Sequence, residues 1–155
     1  MKSVRHARIV MIARSGQGEM LAMRMRRMPH IQLVVVSAFE EACRLCRAGA
    51  ADACVVDRDE ALMDAPMCPD GDAPGRGCGV PSLMVVPAMT PYHRALARRG
   101  GYAAAVPADV PARVLYRRLG AMLQRRNRAR LRAAAGGRGI PHRLQPPGEN
   151  EPTVH

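Results

Sequence analysis

Four short apolar runs constrain this chain more than anything else in it: residues 9–13, 31–36, 53–57 and 82–86. Each is four to six residues long, rich in Val, Ile, Leu or Met, and bounded by turn-forming residues. A continuous apolar run of that length reads as a strand buried on both faces. Between the runs the apolar spacing becomes helical. Leu21, Met25 and Met28 fall at i, i+4 and i+7, with Arg24 and Arg27 away from that face, and Phe39, Cys43 and Cys46 share a face with Ala42 beside them. Further on, Thr90-Pro91 is an N-cap followed by proline at the first helical position, and that helix runs to about residue 99. A short fifth strand is expected over 102–106. Val110, Val114, Leu115, Leu119, Met122 and Leu123 then line one face of a last helix that continues to about residue 135. Strands alternating with helices in this way call for a parallel sheet covered on both faces.

Punctuation marks the boundaries. Pro29 ends the first helix, Gly49 stops the second, and Gly100-Gly101 and Gly136-Gly137 stop the later two. Ser37 with Glu40 reads as a capping box, and Asp109 as the cap of the last helix. Residues 58–80 break the alternation: Pro66, Pro69, Pro74 and four glycines rule out a regular helix where a crossover helix is expected. The expected organisation is a folded domain over 1–126 and a basic, Pro/Gly-rich, disordered tail over 127–155. There is no internal repeat.

The chain carries a net charge of +11, distributed unevenly. Seven Lys/Arg face one acid in residues 1–30, and thirteen Arg face three acids in residues 91–155, while residues 40–72 hold the other nine acids. A basic patch of this kind binds nucleic acid, acidic protein or anionic lipid, or is only a solvated surface. The run from Arg125 to Arg132 suits non-specific phosphate contacts, without interleaved aromatics for base stacking. Five cysteines, an odd number, and the absence of a signal segment or an apolar run long enough to span a membrane point to reduced thiols and a cytoplasmic protein.

Candidate chemistry is sparse. Asp57 ends the third strand, and in open α/β sheets functional residues sit at the carboxyl ends of strands; an Asp there is also a common turn or cap residue. Gly16-Gln17-Gly18 follows a strand and opens a helix, but a third glycine and an acidic partner are missing, so a plain loop is the default. Cys43 and Cys46 form a C-x-x-C in mid-helix, which fits core packing better than redox chemistry; no second such pair gives zinc spacing. The histidines are scattered and no nucleophilic grouping emerges. No enzyme activity, cofactor or metal is expected.

With these elements in place, the chain resembles the receiver domain of two-component response regulators over residues 7–126. The resemblance rests on element order, on Arg8-Ile9-Val10-Met11-Ile12, on Met28-Pro29-His30-Ile31-Gln32-Leu33-Val34, on Ala53-Cys54-Val55-Val56-Asp57, and on the glycine-led segment from Gly100 to Pro107. It implies a flavodoxin-like (CheY-like) doubly wound sheet of five parallel strands in the order 2-1-3-4-5, with the third helix shortened or replaced by a loop. It also implies that Asp57 stands where the family's phospho-accepting aspartate stands. The rest of that constellation is degenerate. Ala13 and Arg14 replace the two acids that hold Mg²⁺, Val86 replaces the hydroxyl residue ending strand four, and Val106 replaces the strand-five lysine.

One carboxylate is a poor start for an octahedral Mg²⁺ shell, and phosphoryl transfer works by positioning and charge neutralisation. The expectation is therefore a bacterial pseudo-receiver: a signalling protein-interaction module, outside ordinary Mg-dependent phosphorelay chemistry. Arg14 is expected to pair its guanidinium with Asp57, in the metal's place. By resemblance, the interaction surface is the face of the helix after Thr90, the fifth strand and the last helix, with Thr90, Tyr92, Arg94, Arg98, Tyr102, Arg113 and Arg117 as its residues. It would serve a signalling partner or a homodimer. The alternative is a basic regulatory protein that binds nucleic acid through its Arg-rich tail.

Overall fold

A computed structural model describes residues 6–57 and 79–136. Among the described residues nine elements follow one another: β1 (Ala7–Ile12), α1 (Gly16–Arg26), β2 (Ile31–Val36), α2 (Phe39–Arg47), β3 (Ala53–Asp57), β4 (Ser82–Val86), α3 (Pro91–Arg99), β5 (Ala104–Pro107) and α4 (Ala112–Gly136). The five strands form one parallel sheet in the order β2-β1-β3-β4-β5. The expected doubly wound, flavodoxin-like sheet is thus the observed one. The expected replacement of the third helix falls on residues 58–78, outside the described residues.

The period-two alternation of the strands sorts the core into two layers. Ile9, Met11, Val55, Leu83, Val85 and Val106 face α1 and α4, where Leu21, Met25, Leu115, Leu119 and Met122 meet them. Val10, Ile12, Cys54, Val56, Met84 and Val86 face α2 and α3, meeting Ala42, Cys43, Cys46 and Ala97. This explains why the strand sequences show no polar alternation: β3 and β4 are buried at every residue. Cys43, Cys46 and Cys54 lie buried in the second layer.

Helix ends deviate from the sequence reading in two places. The N-cap of α2 is Ala38, without a side-chain cap bond, rather than Ser37. Ser37 stays in the strand exit, where its carbonyl receives the Arg14 side chain. At α4 the cap role expected of Asp109 falls to the Pro111 carbonyl, which accepts from the N–H groups of Val114 and Leu115 at 2.9 and 3.0 Å. α4 passes residue 126 without a break and reaches Gly136, in line with the expected continuation to about residue 135, so the first ten residues of the 127–155 segment are helical; the remainder lies outside the described residues.

Candidate functional site

Asp57 ends β3 at the carboxyl edge of the sheet and is 6% exposed. A buried carboxylate needs partners, and here the β1–α1 turn supplies them. Asp57 Oδ2 accepts from the main-chain N–H of Arg14 at 3.1 Å, the main-chain N–H of Ser15 at 2.9 Å and the Ser15 hydroxyl at 2.7 Å. Ser15 is the N-cap of α1, and its Oγ also accepts from the Gly18 N–H at 3.0 Å. One hydroxyl therefore accepts in the first turn of α1 and donates a hydrogen bond to Asp57. The carboxylate sits over a helix N-terminus, where the macrodipole favours negative charge.

Gly18 makes the approach possible. A Cβ built on it would overlap Oδ2 and Cγ of Asp57. The glycine inside the first turn of α1 is there for close packing, not for a turn.

The expected guanidinium pairing is not what forms. Arg14 partners Asp57 through its backbone N–H, while its Nε donates to the Ser37 carbonyl at 2.9 Å. The side chain is drawn toward the β2 end, and main-chain donors fill the place it was expected to take. Ala13, Val86 and Val106 are all buried among apolar neighbours, Ala13 and Val106 in one layer and Val86 in the other. Among the described residues no three of His, Cys, Asp or Glu come together to hold a metal. Mg²⁺ asks for hard oxygens in an octahedral shell. A single carboxylate with one oxygen already taken by three donors does not fit it.

A second feature lies on the other side of the sheet's end. β5 is an edge strand, paired with β4 alone. Over it, between α3 and α4, runs an open cavity of about 400 Å³. Ala103, Ala104, Ala105, Val106 and Pro107 form its floor, Arg94 and Arg98 one rim, and Arg118 and Val114 the other. Thr90 caps α3, its Oγ1 accepting the His93 N–H at 3.3 Å. Of the residues expected on this face, Arg94, Arg98 and Tyr102 line the cavity. Tyr92, 59% exposed, and Arg113 and Arg117 lie on the solvent side of their helices. Arg118 and the alanine floor were not anticipated; the signal for the floor was the small-residue run Ala103-Ala104-Ala105 itself.

The two features are joined by Arg24 of α1. Its guanidinium donates to the carbonyls of Ala108 at 2.7 Å and Val110 at 2.9 Å, pinning the turn between β5 and α4. At the opposite end of the sheet, Asp52 binds Arg8 through both carboxylate oxygens, and Arg126 of α4 donates to the Asp52 carbonyl. Partial burial pushes the Asp52 carboxyl up, but the hydrogen bonds and charge of Arg8 outweigh it, and the net shift is downward.

Neither a scan of protein-family models nor a search of curated proteins finds a match. Solved structures do match in fold. The signal receiver domain of NarL, a response regulator from Mycobacterium tuberculosis, superposes with a TM-score of 0.57 at 17% identity, over 77% of this chain and 95% of that one. The response regulator domain of Thermotoga maritima CheB gives 0.59 at 13% identity, over 77% and 98%. The receiver domain of the sensor histidine kinase PA1611 from Pseudomonas aeruginosa, solved with a magnesium ion in its active site cleft, gives 0.60 at 16% identity, over 76% and 98%. Sheet order, helix placement and these superpositions agree: the chain has the fold of the receiver domains of response regulators.

Proposed function

We propose that this chain is a receiver-type signalling module that works through a standing interaction surface and not through Mg-dependent phosphoryl transfer to Asp57. The observation that carries this reading is the state of Asp57, whose Oδ2 is bound by three donors of the β1–α1 turn. Phosphoryl transfer needs positive charge and positioning groups around the acceptor. The positions that provide them in the receiver family by resemblance are here Ala13, Arg14, Val86 and Val106. In this reading Asp57 is a fixed anchor for α1. The working surface is the α3–β5–α4 face, carrying Thr90, Tyr92, Arg94, Arg98, Tyr102, Arg113 and Arg117.

The test is an amide NMR spectrum of the ¹⁵N-labelled chain, titrated with Mg²⁺ and then with beryllofluoride, which mimics an aspartyl phosphate. The expected result is an unchanged spectrum from a folded protein. Shifts centred on Asp57 and spreading through residues 86–106 would overturn the proposal.

A second reading is favoured by the far end of α4. Residues 127–136 are all exposed and include Arg128, Arg130 and Arg132, with Leu131 at 71% exposure. A projecting cationic helix of this kind suits nucleic-acid phosphates. Affinity for a duplex that falls steeply with salt, and disappears when the chain ends at Gln124, is the result this reading expects.

A further inference from the structure

We infer that the groove over β5 receives an acidic segment of a different protein, and that a second copy of this chain is excluded from it. The inference rests on the proposal that the α3–β5–α4 face is the working surface, and adds the chemistry of what it takes. Three observations carry it.

The first is charge. Arg94, Arg98 and Arg118 rim the groove, and among the described residues no acid lines it. None of the three is in an ion pair among the described residues; the pairs there are Arg8–Asp52 and Arg44–Glu41. Across residues 90–126 the chain has eight arginines and a single acid, Asp109. Among the described residues the arginines of this rim therefore have no counter-charge in contact, and an acidic ligand supplies one.

The second is symmetry. A two-fold dimer places the same patch on both sides of the interface. Self-association here would set the Arg94, Arg98 and Arg118 rims of one copy against those of the other. Like charges brought together at an interface cost several kcal/mol. The homodimer expected by resemblance is the occupant this surface disfavours most.

The third is shape. The floor is three consecutive alanines followed by Val106 and Pro107, so no long side chain fills the groove. Small side chains line its floor and arginines its rims. That profile suits a peptide segment alternating apolar and acidic side chains. It suits nucleic acid less, since the one aromatic in the lining, Tyr102, is buried and offers no face for a base to stack on.

The experiment uses the full ¹⁵N-labelled chain and three probes: a Glu–Leu alternating peptide of about ten residues, its Lys–Leu counterpart, and an oligothymidine of about the same length, with sedimentation alongside. The Glu–Leu peptide is expected to shift amides of residues 94–106 and 114–118, with affinity falling at least about tenfold on raising salt from low to physiological levels. The chain is expected to sediment as a monomer. The exposed double variant Arg94→Glu/Arg98→Glu, checked for folding by its own spectrum, should lose the Glu–Leu peptide and gain the Lys–Leu one.

Preferential binding of the oligothymidine at these residues overturns the inference, as does a dimer that this double variant dissolves. No binding of the acidic peptide by a folded chain overturns it too. Each of these leaves the reading of Asp57 standing if beryllofluoride is still silent. A beryllofluoride response with the acidic peptide still bound removes that reading and keeps this one.

Discussion

The Gly18 Cα lies so close beneath the Asp57 carboxylate that any side chain at residue 18 collides with Oδ2. In an ordinary helix, replacing glycine by alanine gains about 1 kcal/mol. Here the sign reverses. Gly18→Ala is expected to cost about 1–3 kcal/mol, the usual range for overpacking a buried site. Asp57→Gly removes the obstructing carboxylate, so the double variant should recover much of that loss, with a coupling of about 1 kcal/mol or more. Urea unfolding of the two single variants and the double variant closes this cycle. Additive costs would show that the two residues do not meet as described.

Arg14 and Ser15 both reach Asp57, but by different groups. Arg14 does so through its backbone, which a side-chain truncation leaves in place. Arg14→Ala should therefore cost under about 1 kcal/mol, as expected of one exposed hydrogen bond to Ser37. Ser15→Ala removes the N-cap of α1 and a donor to a buried carboxylate together. About 1–2 kcal/mol is expected from the cap alone. Thermal or urea denaturation that ranked the two the other way would contradict the geometry.

Asp52 predicts an acid-side dependence of stability. Its folded-state carboxyl is held below its ordinary value by Arg8. A depressed folded pKa contributes stability above the unfolded value, near about 3.9, and loses it as pH falls through the lower folded value. Asp52→Asn should thus unfold at a nearly unchanged midpoint below that range and at a lower one above it. The pair is solvent-exposed on the Arg8 side, so the difference is small. Denaturation midpoints followed from pH 7 down through the acid range make the comparison.

Arg24 spans from α1 to the turn before α4. Replacing it with methionine keeps the aliphatic stem and deletes two charge-assisted hydrogen bonds, each worth about 1.5–3 kcal/mol. The local result is faster hydrogen exchange at the Val110 amide, which bonds Pro107 within that turn. A tenfold acceleration corresponds to about 1.4 kcal/mol of local opening. Unchanged protection at Val110 would mean that Arg24 does not hold the turn.

The strands were legible because burial on both faces writes itself into composition. β2, β3 and β4 begin and end where their apolar runs do. β5 was placed two residues early at its start, since Tyr102 is buried against Gly100 and not in the strand. The Asp57 site was legible only as one residue. Two of its three donors are main-chain N–H groups, which every residue but proline carries and no side-chain pattern reveals. Ser15 was the one clue: a serine just before a helical apolar repeat is an N-cap signal. By default Gly16-Gln17-Gly18 reads as a loop, whereas α1 begins at Gly16, and Gly18 inside it leaves room for a carboxylate. The arginine face was visible in the charge count, but the groove it rims depends on how α3 and α4 straddle an edge strand.

α1 is fastened at both of its ends to structures that follow much later in the chain. Its first turn is tied to the end of β3 through Ser15 and Asp57, and Arg24, in its last turn, to the turn after β5. Mechanically it is a tie between the end of β3 and the turn after β5, holding together through one helix two segments that lie far apart in the chain.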